Sequence, residues 1–138
     1  MRQALTPALA LDYVRELSAD VRAALVLDGA GELLAGPPQL ADPARRVLAA
    51  AGDAAELEAV TGAGVVCVVR SPDHAAIAVC GRFAIAAVVR QDLRAAVAAI
   101  EGRPSIAAPV AAPASPPPDA LGSAAETLIS AVQRASEV

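Results

Sequence analysis

The sequence predicts a small α/β domain that runs helix, hairpin, helix, three-stranded meander, long helix. Three observations carry that expectation. Thr6-Pro7 and Asp42-Pro43 each place a side-chain cap before a proline, the pattern that opens a helix. Asp28-Gly29-Ala30-Gly31 is a turn between two apolar runs, as a hairpin requires. The stretch from Gly64 to Ile100 holds two apolar runs joined by a polar turn and then a long apolar stripe. At 138 residues the chain has room for one domain with a proper core.

The first helix follows Thr6-Pro7 and ends near Ala19, with Ala10, Val14 and Leu17 at helical spacing and Tyr13 beside them. Val21 to Leu27 alternates as a strand whose inward face is Val21, Ala23, Leu25 and Leu27. Glu32 to Gly36 returns as a shorter strand, and Pro37-Pro38 breaks the pattern. The second helix is expected from Pro43 to Ala51, capped by Asp42 and stopped at Gly52, with Val47, Leu48 and Ala51 inward. Glu56 to Thr61 fits either a helix or a strand by composition. The breaks at Gly52-Asp53 and Thr61-Gly62-Ala63-Gly64 favour a strand.

Val65 to Arg70 is β-branched at almost every position and apolar on both faces, so it needs a layer on each side. Ser71-Pro72-Asp73-His74 turns the chain into a partner strand from Ala75 to Cys80. From Arg82 to Glu101, Ile85, Val89, Leu93, Val97 and Ile100 recur at three- and four-residue intervals, which predicts one long helix. Six prolines between Gly102 and Pro118 read as a semi-rigid linker. Beyond it, Ser123 and Glu126 form a capping box ahead of an apolar stripe of Leu128, Ile129, Val132 and Ala135. A helix of about 13 residues is marginal alone in water, so it must dock or fray.

Composition narrows the function. The apolar fraction is 56%, but 37 of those residues are alanine, so the core relies on close approach of elements rather than on large side chains. All 11 basic residues are arginine and there is no lysine or asparagine, a bias that points to a GC-rich bacterial genome. The formal net charge is −4 and no basic stripe stands out, which argues against binding nucleic acid. The N-terminal segment carries Asp12, Arg15 and Glu16 where a signal peptide would be apolar. No stretch suggests stable membrane insertion, and a cytoplasmic location is expected.

No catalytic constellation emerges. Ser71, Asp73 and His74 are crowded into one turn, where a serine–histidine–carboxylate relay cannot form. The pairs Gly29/Gly31 and Gly62/Gly64 lack the lysine of a phosphate loop. The acidic residues Asp28, Glu32, Asp53, Glu56, Glu58, Asp73 and Asp92 look scattered, with no converging pair. Cys67 and Cys80, if they face each other across the hairpin, share one sheet face; a disulfide is conceivable, and reduced buried thiols are favoured. Two cysteines and one histidine do not make a zinc site. Neither a metal nor a cofactor is expected.

This order of elements, with the Asp28-Gly29-x-Gly31 turn and VVRSPDHAAIAV leading into RQDLRAAV, resembles the roadblock / dynein light-chain family over about Leu5 to Ile100. The resemblance implies a roadblock-like (profilin/longin-like) α/β sandwich. A five-stranded antiparallel sheet carries helices on both faces in the order α-β-β-α-β-β-β-α. One short helix covers one face, and the first and last helices cover the other. The Pro/Ala-rich linker at 102–118 and the C-terminal amphipathic helix at 119–138, read from composition and patterning, are additions to the family core, and the resemblance covers the domain at 5–101. The resemblance further implies a non-enzymatic protein that forms a homodimer through a sheet edge and the second helix. Such a protein regulates or scaffolds a small Ras-like GTPase or a sensor-kinase system. On that basis Arg45 and Arg46 of the second helix are interface residues, or else they solvate an alanine-rich helix. Leu128, Ile129 and Val132 dock in a partner's groove or fold back on their own domain. The alternatives are a small-molecule sensor of the profilin/PAS-like type, to which the scarcity of aromatic and polar core residues is opposed, and a purely structural dimerisation module.

Overall fold

A computed structural model of the chain describes residues 5–52, 54–102 and 118–136. Four helices and five strands follow in the order α1 (Pro7–Leu17), β1 (Val21–Asp28), β2 (Leu33–Ala35), α2 (Ala41–Ala51), β3 (Glu56–Val60), β4 (Val65–Arg70), β5 (His74–Cys80), α3 (Ala86–Ile100) and α4 (Pro118–Ser136). The strands form one antiparallel sheet in the order β2-β1-β5-β4-β3. This is the α/β sandwich that the sequence predicts. Glu56–Val60 is a strand, and it forms one edge of the sheet.

Two apolar cores lie on either side of the sheet. On one, α1 and α3 set Ala10, Val14, Val89 and Leu93 against Val26, Cys67, Ala76 and Ala78. On the other, α2 and α4 set Val47, Leu128 and Ile129 against Leu25, Leu57, Val66 and Ile77. Residues 65–69 of β4 are buried on both faces, as their unbroken apolar run demands. The Pro/Ala-rich linker lies outside the described residues apart from its two ends, Gly102 and Pro118.

Local signals and the structure part at several ends. The Thr6 cap holds, its hydroxyl accepting from Leu9 N at 3.2 Å. Asp42, in contrast, does not cap α2. A 3-10 turn over Pro38–Leu40 runs into the helix, leaving Asp42 in the first turn, where it pairs with Arg45. Helix α3 starts at Ala86, four residues later than the periodicity suggests. Ile85 shares the spacing of the stripe but sits outside the helix and is 66% exposed. In α1, Leu17 lies at the edge of the buried face and stays half exposed, as does Tyr13. Ser123 falls inside α4, which is 19 residues long, and its carbonyl accepts from the Thr127 hydroxyl at 3.0 Å, so the expected capping box is not a cap.

Strand β1 also departs from strict alternation. Val21 opposes Cys80 while Ala23 opposes Val79, so Arg22 is an extra residue in the ladder. The bulge turns Val21 to the α1/α3 face, whereas Ala23, Leu25 and Leu27 face α2 and α4. Near the end of β2, Gly36 has φ +115°, and a Cβ there would lie 2.8 Å from Ala24 O. Both the left-handed backbone and the close approach exclude a side chain. Gly36→Ala is therefore expected to cost about 2–3 kcal/mol of stability. Urea unfolding would reveal this as a lower midpoint at unchanged slope.

Candidate functional site

The surfaces that the sequence offers to a partner are built differently from one another. Arg45 is tied down within the chain: its Nε donates to Gly31 O at 2.6 Å and its Nη1 to Asp42 Oδ1 at 2.5 Å. The acceptor belongs to a turn ordered by Asp28, whose Oδ1 accepts from Ala30 N and Glu32 N, both at 2.9 Å. Arg45 thus fastens α2 to the β1–β2 turn, and only part of its side chain remains for a partner. Arg46 is exposed on the outer side of α2.

Leu128, Ile129 and Val132 are not presented to solvent. They are 0%, 3% and 4% exposed and pack into the core beneath α2, so the fold-back alternative is the one the structure shows. The helix α4 runs beside α2 over the α2 side of the sheet, a position that the domain alone does not dictate.

Strand β3 pairs only with β4, so its outer backbone edge is open among the described residues. Glu56 and Glu58 lie two residues apart on the strand and share its α3 face. There they meet Arg90 and Arg94, one turn apart on α3. Arg94 Nε approaches Glu56 Oε2 at 3.0 Å, while Arg90 lies 3.8 Å from Glu56 and 4.0 Å from Glu58. Neither Arg90 Nε nor Arg94 Nε finds an aligned hydrogen bond, so these contacts are charge pairing rather than a hydrogen-bonded fork. The acidic residues are thus not all scattered. A strand spacing of two and a helical spacing of four were both legible, but nothing in the chain says that the two elements face each other.

At the opposite end of the sheet from β3's Val60, the β4–β5 turn is locked to the end of α3. Ser71 Oγ donates to Glu101 Oε2 at 2.6 Å, and His74 Nδ1 lies 2.8 Å from the same oxygen. Ser71 Oγ also accepts from His74 N at 3.1 Å. A nucleophilic relay needs the serine on the imidazole and the imidazole on the carboxylate; here serine and histidine converge on one oxygen instead. The arrangement is a turn clamp. Glu101, some 30 residues away in sequence, carries no local signal that would have joined it to this turn.

Beside the clamp is an open cavity of about 680 Å³, lined by Asp28, Gly31, Arg45, Gly52, Arg70 and His74 among others. Arg70 Nε donates to Ala54 O at 2.9 Å, so this guanidinium too is anchored by backbone. Its charged lining is Asp28 against Arg45 and Arg70, and both guanidiniums donate to backbone carbonyls of the chain itself.

Cys67 and Cys80 are free, buried thiols on the α1/α3 face, one diagonal apart in the β4–β5 ladder. A hydrogen bond with the Cys80 sulfur, reinforced by burial, pushes the Cys67 thiol well above the ordinary thiol range. Alkylation of the native protein at neutral pH is therefore expected to leave Cys67 unmodified. Mass spectrometry after brief iodoacetamide treatment, with and without denaturant, checks this; rapid native labelling of Cys67 would contradict it. Among the described residues no group of three histidine, cysteine or carboxylate side chains could hold a metal ion. No described helix is long and apolar enough to cross a membrane.

A five-stranded antiparallel sheet with α1 and α3 on one face and α2 on the other defines a two-sided α/β sandwich with an open edge strand. No family model and no curated protein matches the chain. Solved structures do. A Roadblock/LC7 domain from Streptomyces avermitilis matches with a TM-score of 0.57 at 15% identity, over 72% of this chain and 96% of that one. A further structure of a Roadblock/LC7 domain from the same organism matches with a TM-score of 0.54 at 17% identity, over 64% and 92%. MglB in a tetrameric arrangement matches with a TM-score of 0.49 at 18% identity, over 93% and 96%. The chain has the roadblock fold.

Proposed function

We propose that the chain is a non-enzymatic regulator or scaffold that forms a homodimer and binds a small Ras-like GTPase or a sensor-kinase signalling partner. The observation that carries this reading is the roadblock fold, seen in the sheet order and in the likeness to two Roadblock/LC7 structures. The open β3 edge supports self-association by strand addition. Arg46 on the outer side of α2 adds an exposed charge that a partner could meet. The clamp at Ser71, His74 and Glu101 lacks the geometry of a nucleophilic site, which supports a role without catalysis.

A ligand sensor is less well supported. The described core contains no buried polar or charged residue, so nothing between sheet and helices would orient a small molecule. The test is to titrate the purified full chain against the small GTPase encoded nearest to it, following complex formation by native mass spectrometry and GTP hydrolysis by phosphate release. A complex is expected, with or without a change in hydrolysis. No complex at micromolar concentrations in either nucleotide state would refute the GTPase reading.

A further inference from the structure

We propose that α4 is a displaceable cover that closes the α2 face of the sheet against a second copy of this chain. The proposal rests on the homodimer reading above and deepens it. Helix α4 inserts Leu121, Ala125, Leu128, Ile129 and Val132, none more than 6% exposed, into a groove floored by α2 and the sheet. Without it, Leu57, Val66 and Ile77 would lose their cover. A groove of that character is either filled from within or filled by another chain.

Three observations point to an alternation between those two states. First, all five strands and the helices α1, α2 and α3 lie within residues 5–102, so α4 adds a layer to a complete sheet. Second, 15 residues separate Gly102 from Pro118, a length of chain that reaches on the order of 46 Å when extended. Third, the two Roadblock/LC7 structures are 92% and 96% spanned while only 64% and 72% of this chain is used. The fold therefore closes without an element equivalent to everything present here.

The position of β3 selects the occupant. Leu57 and Ala59 of this edge strand face the groove and α4 is the helix that packs on β3, so a second copy that pairs with the β3 edge arrives at the border α4 occupies. The surface α4 protects is thus continuous with the edge proposed for dimerisation. Asymmetry in exposure agrees. Among the described residues α2 and α4 carry no exposed large apolar side chain, whereas Leu9, Tyr13 and Val88 on α1 and α3 are all exposed. The α2 face is the one the chain keeps shut.

The test uses the full chain. Leu128→Asp combined with Val132→Asp should release α4 and raise self-association at least tenfold over the unaltered protein in sedimentation velocity. Far-UV circular dichroism shows that the strands remain. A second measurement needs no variant. If a second copy and α4 compete, raising the concentration of the unaltered protein across its dimerisation range speeds hydrogen exchange of the α4 amides. Unchanged self-association of a folded double variant overturns the proposal, as does α4 protection that is constant or rises with concentration. If neither protein dimerises at any concentration, the homodimer reading fails along with the cover. If dimers form while α4 stays protected, the cover alone fails. Should the double variant not fold, the exchange measurement decides.

Discussion

Leu128→Asp is expected to destabilise the docked state of α4 by about 3–5 kcal/mol. Leu128 is fully buried between α2 and the sheet. Truncating a leucine in such a place already costs about 2–5 kcal/mol, and a carboxylate there must also be desolvated or protonated. The loss has a ceiling, however. Once it exceeds the free energy that holds α4 in its groove, the helix leaves and the rest of the domain is spared. Urea unfolding should then show a smaller fall in the midpoint of the sheet than in that of α4, with α4 amides exchanging first. A single cooperative collapse of the whole chain would show instead that α4 is integral to the core.

Leu93→Ala on the opposite face should behave otherwise, lowering the stability of the whole domain by about 3–5 kcal/mol. Leu93 is fully buried, and Ala10, Ala76, Ala78 and Ala96 belong to the same core. Methyl groups cannot swing into the space that a lost isobutyl group leaves, so the cavity persists and the cost falls in the upper part of the usual range. Thermal denaturation followed by circular dichroism checks it: one transition at lower temperature is expected. Leu93 and Leu128 share no neighbours across the sheet, so the costs of Leu93→Ala and Leu128→Ala should add to within about 0.5 kcal/mol. A large deviation from additivity would mean that the two faces communicate through the strands.

These two leucines also mark how far the chain can be read without its structure. Leu93 and Leu128 each sit in an apolar stripe at helical spacing, and both helices exist. What periodicity could not supply was the phase at their ends. Ile85 keeps step with the α3 stripe although the helix starts after it, because the Ile85 backbone is extended (φ −86°, ψ 99°) and carries no side-chain cap. The Asp42-Pro43 pair imitates a helix start that the preceding 3-10 turn has already made. Ser123 and Glu126 imitate another inside α4. At Thr6 the same kind of signal was correct: the Thr6 backbone is extended (φ −69°, ψ 152°) and its hydroxyl accepts from Leu9 N.

The surfaces for partners were the least legible part. Arg45 stands on the expected helix, yet its guanidinium is committed to Gly31 and Asp42, 14 and 3 residues away. Glu56 and Glu58 become a charged pair only because α3 brings Arg90 and Arg94 over β3. Glu101 belongs to the Ser71–His74 turn only because α3 ends beside it.

By itself, then, the sequence determined which segments are strands and helices and in what order they come. Alternation, helical stripes, prolines and paired glycines act over a few residues and are written locally. Tertiary structure alone decided which face each helix covers, that Arg22 is a bulge turning Val21 to the other core, and that α4 closes the α2 side. Those outcomes depend on contacts between residues far apart in the chain. They are settled by how much apolar area each arrangement buries against the entropy of closing the loops between them, a balance that no local pattern records.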